Sequence, residues 1–483
     1  MKHHYLLPDI SKPGRMGCSL PQADVPASEL PSEDLLRREL DLPEVSEVDL
    51  VRYFTALSKL NYGVDSGFYP LGSCTMKYNP KRHEDVARLP GFTALHPYQP
   101  EDSLQGALEL MYRLQEYLTE ITGMNATSLV PVAGAHGELA GLLMVKAYYQ
   151  VRGDKGRKRI LLTDSSHGTN PASVAMCGLE TGVVASDANG DLDLNSLDSM
   201  MNEEVAALTL TMPSTLGLFD PKIADIAELV HKRGGLLGGD GANLNAVLGR
   251  AKFGELGFDY VQLNLHKTFS TPHGGGGPGS GPVCAKGQLA DFLPGPLVAR
   301  DDRRYRFASP LRSIGKIASF YGNFGVMVKA YAYLRSLGAE ELKQISGDAV
   351  LNANYLKEKL KPHYFLPYDR TCMHEVVFSG KRQKAKGVAT LDIAKRLLDY
   401  GLHPPTVYFP LIVSEALMTE PTETESKETL DSYVAAMEEI ARDAVENPEV
   451  LHSAPHNTPV RRLDDAKAFR ELDVRWEMKG QKK

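Results

Sequence analysis

The chain has 483 residues, of which 42% are hydrophobic and 24% are charged, and its formal net charge is -7. This length exceeds what one simple hydrophobic core holds and predicts two or three domains. The net negative charge argues against a nucleic-acid partner, because binding nucleic acid requires a basic surface. No stretch approaches the roughly 20 apolar residues that a membrane span requires. The five cysteines contain no CxxC pair, which argues against a metal site of the zinc type and against a secreted disulfide framework. We therefore expect a cytoplasmic protein without a membrane or nucleic-acid partner.

The composition and hydrophobic pattern of the sequence change twice along the chain. Residues 1–85 are rich in proline and acidic residues and carry one short helical pattern, "EVDLVRYFTALSKL", which predicts an N-terminal arm. Residues 86–310 alternate short apolar runs with amphipathic helices, as expected of a large α/β domain. Residues 311–483 begin with long helical stretches and continue as a smaller mixed region, which predicts a C-terminal α+β domain.

The apolar runs of the large domain predict a mostly parallel sheet whose strands end in polar residues. The predicted strands lie in "KRILLTDSSHGTNPASV", "VAALTLTMPSTLG", "LLGGDGANLN" and "YVQLNLHK". Between the second and third, "PKIADIAELVHKRGG" predicts a helix with Ile223, Ile226, Ala227 and Val230 facing inward. Ligands of open α/β sheets bind outside the carboxyl ends of the strands, so the polar strand ends predict one shared site.

Lys267 stands in an unusual place, at the end of the strand in "YVQLNLHK" and before the glycine run of "TFSTPHGGGGPGSG". Most lysines are solvated, and a phosphate-binding P-loop would carry its lysine after the glycines rather than before them. A lysine in a partly desolvated pocket can form a Schiff base with pyridoxal 5'-phosphate (PLP), whose pyridine nitrogen needs a facing acid. Asp240 ends the preceding strand, and together with Lys267 it favours a PLP site over a turn aspartate.

The same strand ends offer further cofactor-binding residues. "GAHGE" places Gly134, Ala135 and His136 at a strand-to-helix turn, where free backbone N–H groups attract a phosphate. His167 follows another strand and is predicted to stack on one ring face, with Ala242 covering the other. A lone histidine more often has a structural role, but the shared location at strand ends favours the cofactor role.

The sequence resembles the glycine decarboxylase P-proteins of the glycine cleavage system, specifically their PLP-carrying half. The segments that carry this resemblance run nearly end to end and include "PLGSCTMKYNPK", "GAHGELAGLL", "SSHGTNPASV", "DGANLNA", "HKTFSTPHGGGGPG", "HPPTVYFPLIV" and "TEPTETESK". The resemblance implies a fold-type I PLP-dependent transferase of α/β class that binds glycine and releases CO2. It then passes the aminomethyl group to the lipoyl arm of H-protein.

The resemblance also assigns roles to residues. It implies that PLP is covalently bound to Lys267, that Asp240 faces the pyridine nitrogen, and that His167 stacks on the ring, these three being the catalytic residues. His266, beside the lysine, is a further candidate for cofactor binding.

Two positions depart from the family pattern. Met212 stands where related enzymes carry an asparagine that bonds the cofactor's phenolic oxygen, and a thioether cannot donate that bond. Ser214 or Thr215 is the candidate replacement, and we include Thr215 among the cofactor-binding residues. Cys284 replaces a small apolar residue and is predicted to be a buried thiol.

Three segments outside the predicted cofactor site are harder to interpret. The composition of "YPLGSCTMKYNPK", which contains Cys74 and Lys77, predicts a structural turn. The family resemblance suggests instead that this segment helps to form the wall of the active site. "HPPTVYFP" with His403 and "TEPTETESK" with Glu420 and Glu423 belong to the predicted C-terminal domain, where they could close over the substrate or form surface loops.

Partners follow from the absence of an internal repeat. Long P-proteins contain two similar halves, and this chain resembles only the second, which implies a separate first (alpha) subunit in an α2β2 heterotetramer. Lipoylated H-protein is the expected transient partner. Two alternatives stay open: another fold-type I PLP enzyme, such as an amino-acid decarboxylase or aminotransferase, and a non-catalytic scaffold subunit.

Overall fold

The computed structural model describes residues 6–37 and 42–474, which form two compact units. One unit holds the described residues before Gly67 and after His456, and the other is Gly67–His456. The helices are α1 (Glu47–Ser58), α2 (Lys81–Ala87), α3 (Pro90–Thr93), α4 (Gln105–Thr122), α5 (Gly134–Val151), α6 (Thr169–Met176), α7 (Leu194–Met200), α8 (Ile223–Lys232), α9 (Phe324–Leu360), α10 (Lys381–Lys384), α11 (Thr390–Leu397), α12 (Lys427–Glu446), α13 (Glu449–His452) and α14 (Asp465–Arg470). The strands are β1 (Ala126–Ser128), β2 (Arg159–Thr163), β3 (Glu180–Val184), β4 (Val205–Thr211), β5 (Leu236–Gly241), β6 (Tyr260–Leu263), β7 (Val283–Ala285), β8 (Leu297–Asp301), β9 (Arg304–Ala308), β10 (Val376–Ser379), β11 (Thr406–Val407) and β12 (Ala416–Thr419).

The first unit contains α1 and α14. Helix α1 begins after Ser46, whose hydroxyl accepts a hydrogen bond from the backbone N–H of Asp49 and so caps the first turn. The helix predicted from "EVDLVRYFTALSKL" is confirmed. Residues 67–85, which the sequence placed in the N-terminal arm, belong to the second unit, and the predicted division at residues 85 and 310 stays a prediction.

The second unit is built on a seven-stranded sheet with the order β1-β7-β6-β5-β4-β2-β3. Strands β2 to β6 pair in parallel, and β7 lies antiparallel to both β6 and β1. The central strands β4 to β6 are almost wholly buried, because helices cover both faces of a parallel sheet. The predicted α/β class with a mostly parallel sheet is confirmed.

Helix α8 shows how the sequence pattern sets the packing. Its buried residues are Ile223, Ile226, Ala227 and Val230, which recur at the spacing of one helix face, as predicted. The opposite face carries charged residues and faces solvent. The apolar face joins the largest core cluster, which lies beneath the strands that carry the site.

A smaller antiparallel sheet, in the order β10-β12-β11, follows α9. The long helix α9 is interrupted at Gly338, where φ is 74°. Helices α9, α11 and α12 supply the apolar residues that pack beside the smaller sheet and form a second core. Within the described ranges, no helix has both the length and the apolar composition needed to cross a membrane.

Candidate active site

The ends of β5 and β6 bring Asp240 and Lys267 into one site. The two strands are parallel neighbours, with Asp240 opposite Gln262 in the register, and Lys267 lies in the turn just beyond β6. Asp240 is buried, whereas Lys267 is partly exposed. The arrangement places an acid and an amine at the carboxyl ends of neighbouring strands, as the sequence predicted.

Asp240 accepts four hydrogen bonds, two on each oxygen. Gln262 Nε2 and the Ala242 backbone N–H (3.1 Å) donate to Oδ1. Asn170 Nδ2 and Thr211 Oγ1 donate to Oδ2, each at 3.3 Å. These four donors replace the water that burial removes from the carboxyl group.

The Lys267 ammonium is held by two oxygen acceptors. Its Nζ donates to the backbone carbonyl of Ser73 at 2.6 Å and to Asn243 Oδ1 at 3.3 Å. Asn243 is buried, and its Nδ2 lies 2.5 Å from His374 Nε2. The amine is therefore positioned by groups that come from distant parts of the sequence.

The loop that presents the Ser73 carbonyl is fixed by two buried carboxyl groups. The Ser73 N–H donates to Glu375 Oε2 at 2.6 Å, and Thr75 donates to Glu420 through its N–H and its hydroxyl, at 2.8 and 2.6 Å. Ser73 and Thr75 have φ values of 64° and 49°, which are unfavourable for residues with a side chain. These contacts show how the surrounding structure holds the loop in that conformation.

The carboxyl groups behind this loop form an electrostatic cluster with His374. Burial alone would lower the pKa of His374, but the charges of Glu375 and Glu420 outweigh it and raise that pKa. Burial raises the pKa of Glu420, while His374 opposes that shift. His374 and Glu375 come just before β10, and Glu420 follows β12, so segments next to the smaller sheet contribute directly to the site.

His167 lies at the start of α6 and is held by its neighbour Thr169. His167 Nδ1 is 2.9 Å from Thr169 Oγ1 and 3.3 Å from the Thr169 backbone nitrogen. The Thr169 hydroxyl also lies 3.0 Å from Oε1 of the buried Glu138. Desolvation by the surrounding protein lowers the pKa of His167, and the positive charge of Lys267 lowers it further. Both effects favour a neutral ring.

The predicted phosphate site lies at the start of α5. Gly134, Ala135 and His136 form its first turn, and no side chain caps this end of the helix. The first N–H groups of a helix have no partner within the helix, so this turn is suited to an anion. A Cβ atom at Gly134 would lie 2.3 Å from Asn264 Oδ1, so only glycine lets the turn approach the segment that leads to Lys267.

His266 packs against His273 rather than standing alone beside the lysine. Their ring centroids are 5.2 Å apart in an edge-to-face arrangement, and His273 Nε2 lies 2.9 Å from the carbonyl oxygen of Cys74. Burial, followed by the charges of His273 and Lys267, lowers the pKa of His266 to about 3. Burial and then Lys267 lower the pKa of His273 to about 4, so both rings are neutral at ordinary pH.

The remaining predicted cofactor-binding residues are buried. Ala242 directly follows the end of β5. Thr215 lies in the turn after β4, and neither its Oγ1 nor Ser214 Oγ has a hydrogen-bond partner among the described residues. Met212 is buried at the end of β4. Burial also raises the pKa of the Cys284 thiol to about 11, and the predicted burial of this thiol is confirmed.

Lys77 and Glu423 form a buried ion pair next to the site. Lys77 Nζ lies 2.6 Å from Glu423 Oε1, and the two side chains are 1% and 8% exposed. The ammonium also donates to the Thr268 carbonyl at 2.8 Å and to the Tyr333 hydroxyl at 3.2 Å. His403 stacks on Tyr69 with ring centroids 3.8 Å apart.

The residues present fit PLP as a cofactor. The carboxyl group of Asp240 suits the pyridine nitrogen, the uncapped start of α5 suits a phosphate, and Lys267 supplies an amine. The sequence missed Glu138, Asn243, His374 and Glu375. Their one local signal is that polar side chains stand beside apolar strands or inside an apolar helix, as in "ELAGLL" and "MHEVVF".

Comparisons with known proteins identify the family of the chain. The family model "Glycine cleavage system P-protein" matches residues 20–308, and "Glycine dehydrogenase, C-terminal domain" matches residues 345–460. The chain is 60% identical over 481 residues to a protein of Caldanaerobacter subterraneus subsp. tengcongensis, covering 98% of this chain and 99% of the relative. It is 56% identical over 477 residues to a protein of Bacillus velezensis, covering 98% and 97%. Both relatives are named "Probable glycine dehydrogenase (decarboxylating) subunit 2".

Solved structures agree on the fold of the chain. An inhibitor-bound glycine decarboxylase (P-protein) of the glycine cleavage system has a TM-score of 0.71 at 22% identity, covering 85% of this chain and 93% of that one. A glutamate decarboxylase of Lactobacillus brevis has a TM-score of 0.65 at 13% identity, covering 86% and 96%. The fold is that of the fold-type I PLP-dependent enzymes, and the chain belongs to the glycine cleavage system P-protein family.

Proposed function

We propose that this chain is the PLP-carrying subunit of a glycine dehydrogenase (aminomethyl-transferring). It binds glycine, releases its carboxylate as CO2 and transfers the aminomethyl group to the lipoyl arm of H-protein. The observation that carries the proposal is 60% identity over nearly the whole chain to a relative of that name, together with Lys267 and Asp240 on adjacent strand ends. PLP, when bound, supplies an electron sink for the pair that CO2 leaves behind.

The side chains of the site have separate roles in this proposal. Lys267 would bind the cofactor covalently, and Asp240 would hold the proton of the pyridine nitrogen through its negative charge. His167 and Ala242 would cover the two ring faces, and the first turn of α5 would hold the phosphate. Thr215, like Ser214, is a candidate replacement for the hydrogen-bond donor that Met212 lacks, because its hydroxyl is buried without a partner among the described residues.

Lys267 would also need a place for its amine when glycine takes its position. The Ser73 carbonyl and Asn243 Oδ1 already hold that amine at 2.6 and 3.3 Å, which supports a role as its acceptors. Both acceptors are uncharged amide oxygens, so they hold the amine through hydrogen bonds and do not form an ion pair with it.

The proposed partners follow from the names of the relatives. Both are called subunit 2, so we propose a first subunit and an α2β2 assembly, with lipoylated H-protein as the second substrate. Such an assembly would make activity depend on both subunits.

The test begins with the visible absorbance of the purified chain mixed with PLP, for the unaltered protein, Lys267→Ala and the control Lys232→Ala. Lys232 is an exposed residue at the end of α8. We expect a visible band for the unaltered protein and the control only. Borohydride reduction followed by peptide mass spectrometry should locate the added mass on Lys267. Added mass on another lysine would contradict the assignment.

Exchange of labelled CO2 into the glycine carboxyl group tests the reaction. We expect exchange to require the chain, the first subunit and lipoylated H-protein together, and to be lost in Lys267→Ala. A visible band without exchange would favour another fold-type I PLP enzyme, such as an amino-acid decarboxylase or aminotransferase. The absence of both would favour a scaffold subunit.

A further inference from the structure

Glu138 and Asp240 are two carboxyl groups of one buried pocket, and their hydrogen bonds differ sharply. Both line a small cavity with Asn170 and Gln262, and they are 9% and 3% exposed. Asp240 accepts four hydrogen bonds, whereas Glu138 has one neighbour on Oε1 and none on Oε2 among the described residues. Two nearby buried carboxyl groups seldom ionise together, and the better-solvated one keeps the charge. The shared proton therefore belongs on Glu138.

The electrostatics of Glu138 agree with this placement of the proton. Burial, followed by the charge of Asp240, raises the pKa of Glu138 to about 8, and Thr169 and Lys267 only partly oppose the rise. Glu138 is consequently a hydrogen-bond donor at neutral pH. The Thr169 hydroxyl lies 3.0 Å from Glu138 Oε1, where it donates to a carboxylate, and protonation of Glu138 lets the direction of this hydrogen bond reverse.

The Thr169 hydroxyl stands between Glu138 and His167 and has a single proton to give. It lies 3.0 Å from Glu138 Oε1 and 2.9 Å from His167 Nδ1. The Thr169 backbone N–H also points at His167 Nδ1, at 3.3 Å, which makes that nitrogen an acceptor. When Glu138 is protonated, the hydroxyl can accept from Glu138 and give its single proton to His167 Nδ1.

We propose that Glu138 is a positioning residue that fixes His167, through the Thr169 hydroxyl, as a neutral ring with its proton on Nε2. The chain runs from Glu138 O–H to Thr169 Oγ1, and from Thr169 O–H to His167 Nδ1. This proposal rests on the proposed function for the place of His167 beside the cofactor. The tautomer itself is a property of this chain and can be measured without PLP.

The proposal predicts a change when Glu138 loses its proton to solvent. The Thr169 hydroxyl then turns to the new carboxylate, and His167 Nδ1 keeps only the backbone contact of 3.3 Å. With only that longer contact on Nδ1, the Nε2–H form is held less strongly, and the Nδ1–H tautomer becomes partly populated. The charged and titratable groups that face Glu138 are Asp240, Lys267 and Tyr260, and those that face His167 are Lys267, Asp240 and Glu375.

Side-chain nitrogen NMR of PLP-free protein with ¹⁵N-labelled histidine tests the tautomer from about pH 6 to about pH 10. The His167 signals are assigned by their loss in His167→Gln. In the unaltered protein we expect the Nε2–H form at the low end and a mixture of tautomers above a midpoint near 8. Glu138→Gln should keep the Nε2–H form throughout, because its amide donates to Thr169 and does not titrate.

Thr169 provides the matched pair of variants. Thr169→Val, which removes the hydroxyl and keeps the shape, should show mixed tautomers without the midpoint. Thr169→Ser should restore both the Nε2–H form and the midpoint. A midpoint that persists in Glu138→Gln, or an unchanged tautomer in Thr169→Val, would overturn the proposal.

Failure of this proposal and failure of the proposed function give different results. If CO2 exchange fails while the NMR results are as expected, the function is wrong and the hydrogen-bond chain stands. If exchange succeeds and the tautomer of His167 does not respond to Glu138 or Thr169, the positioning role is wrong and the function stands. In the loaded enzyme, Glu138→Gln should also lose the part of the pH dependence of exchange that has its midpoint near 8.

Discussion

A carboxyl group that keeps its proton at neutral pH, as Glu138 does, affects the stability of the whole chain. The usual pKa of 4.5 applies in the unfolded chain, and burial together with Asp240 raises it to about 8 after folding. Between these values the folded chain binds a proton that the unfolded chain does not. Stability therefore falls as pH rises through this window, and the loss is complete above the folded pKa.

Glu138→Gln should remove this pH dependence. Urea unfolding of the variant and of the unaltered protein, measured between the two pKa values of 4.5 and about 8, should give curves that diverge as pH rises, with the variant relatively more stable at the upper end. The exposed Glu228 of α8 gives the control, Glu228→Gln, which should run parallel to the unaltered protein. If the stability of Glu138→Gln changed with pH in the same way as that of the unaltered protein, the assignment of the proton to Glu138 would be wrong.

The Lys77–Glu423 pair shows the opposite electrostatic situation, a buried charge that is matched. Burial would lower the pKa of Lys77, but the Glu423 carboxylate and then Tyr333 outweigh it and raise that pKa. Lys77→Met leaves a buried carboxylate without its cation, and we expect a loss of about 3–5 kcal/mol in the free energy of unfolding.

Adding Glu423→Gln tests whether the loss in the free energy of unfolding comes from the unmatched charge. Lys77→Met combined with Glu423→Gln should cost less than the sum of the two single changes, because no unpaired charge remains. Urea unfolding of the three variants gives the comparison. Additive losses would show that the two side chains contribute independently.

At the scale of elements, the site depends on how closely α5 approaches the glycine-rich segment before β7. A Cβ atom at Gly281 would lie 1.9 Å from the Ala133 carbonyl oxygen, and one at Gly137 would lie 2.5 Å from the Gly281 carbonyl oxygen. Neither contact can form without moving the backbone. The first turn of α5 is therefore positioned by the absence of side chains at both places.

Gly281→Ala should displace the first turn of α5 and weaken PLP binding, measured by titration of the visible band. Gly106→Ala is the matched control, because Gly106 lies in α4 and a Cβ atom there meets nothing within 4 Å. The control should bind PLP normally and gain about 0.5–1 kcal/mol in stability, since alanine is the better helix former. Equal PLP affinity in both variants would show that this close approach does not position the turn.

Much of this element-scale structure could be predicted from local patterns. The buried face of α8 follows from its helical spacing, and the adjacency of Asp240 and Lys267 follows from consecutive parallel strands. Glu375 and Glu420 could not be placed, because they bond Ser73 and Thr75 across 302 and 345 positions of sequence. No periodic pattern encodes contacts over such distances, and a carboxyl group next to an apolar strand resembles an ordinary exposed strand end.

For the Gly67–His456 unit as a whole, the smaller sheet supports the cleft of the larger one through the loop at Gly72–Thr75. Leu71 pairs with Thr419, the Thr406 hydroxyl donates to the Gly72 carbonyl at 2.9 Å, and a Cβ atom at Gly72 would overlap Met418. The loop thus rests on β11 and β12 while its carbonyl group faces Lys267. A change in the smaller sheet should consequently be felt at the lysine.

Glu420→Gln tests this connection through the neighbouring Cys74. The variant weakens the hold on Thr75, so we expect Cys74 to react faster with a thiol reagent and PLP affinity to fall. In each protein compared, the exposed Cys18 is first replaced by serine. The partly exposed Cys74 then gives the main labelling signal. The control is Glu415→Gln, just before β12, whose carboxylate contacts Thr390 rather than the loop. Equal labelling rates in the two variants would count against the connection.

The long sequence separation between Ser73 and its carboxylate partners also bears on the order in which the protein is made. Ser73, Asp240 and Lys267 leave the ribosome before Glu375 and Glu420, and domains generally begin folding from the N-terminal side during synthesis. An emerging chain can therefore build the large sheet while the loop at Ser73 still lacks the groups that hold it. Competence to take up the cofactor is expected to arise late, after β12 has been translated, so that a prematurely ended chain would fold in part without capturing PLP.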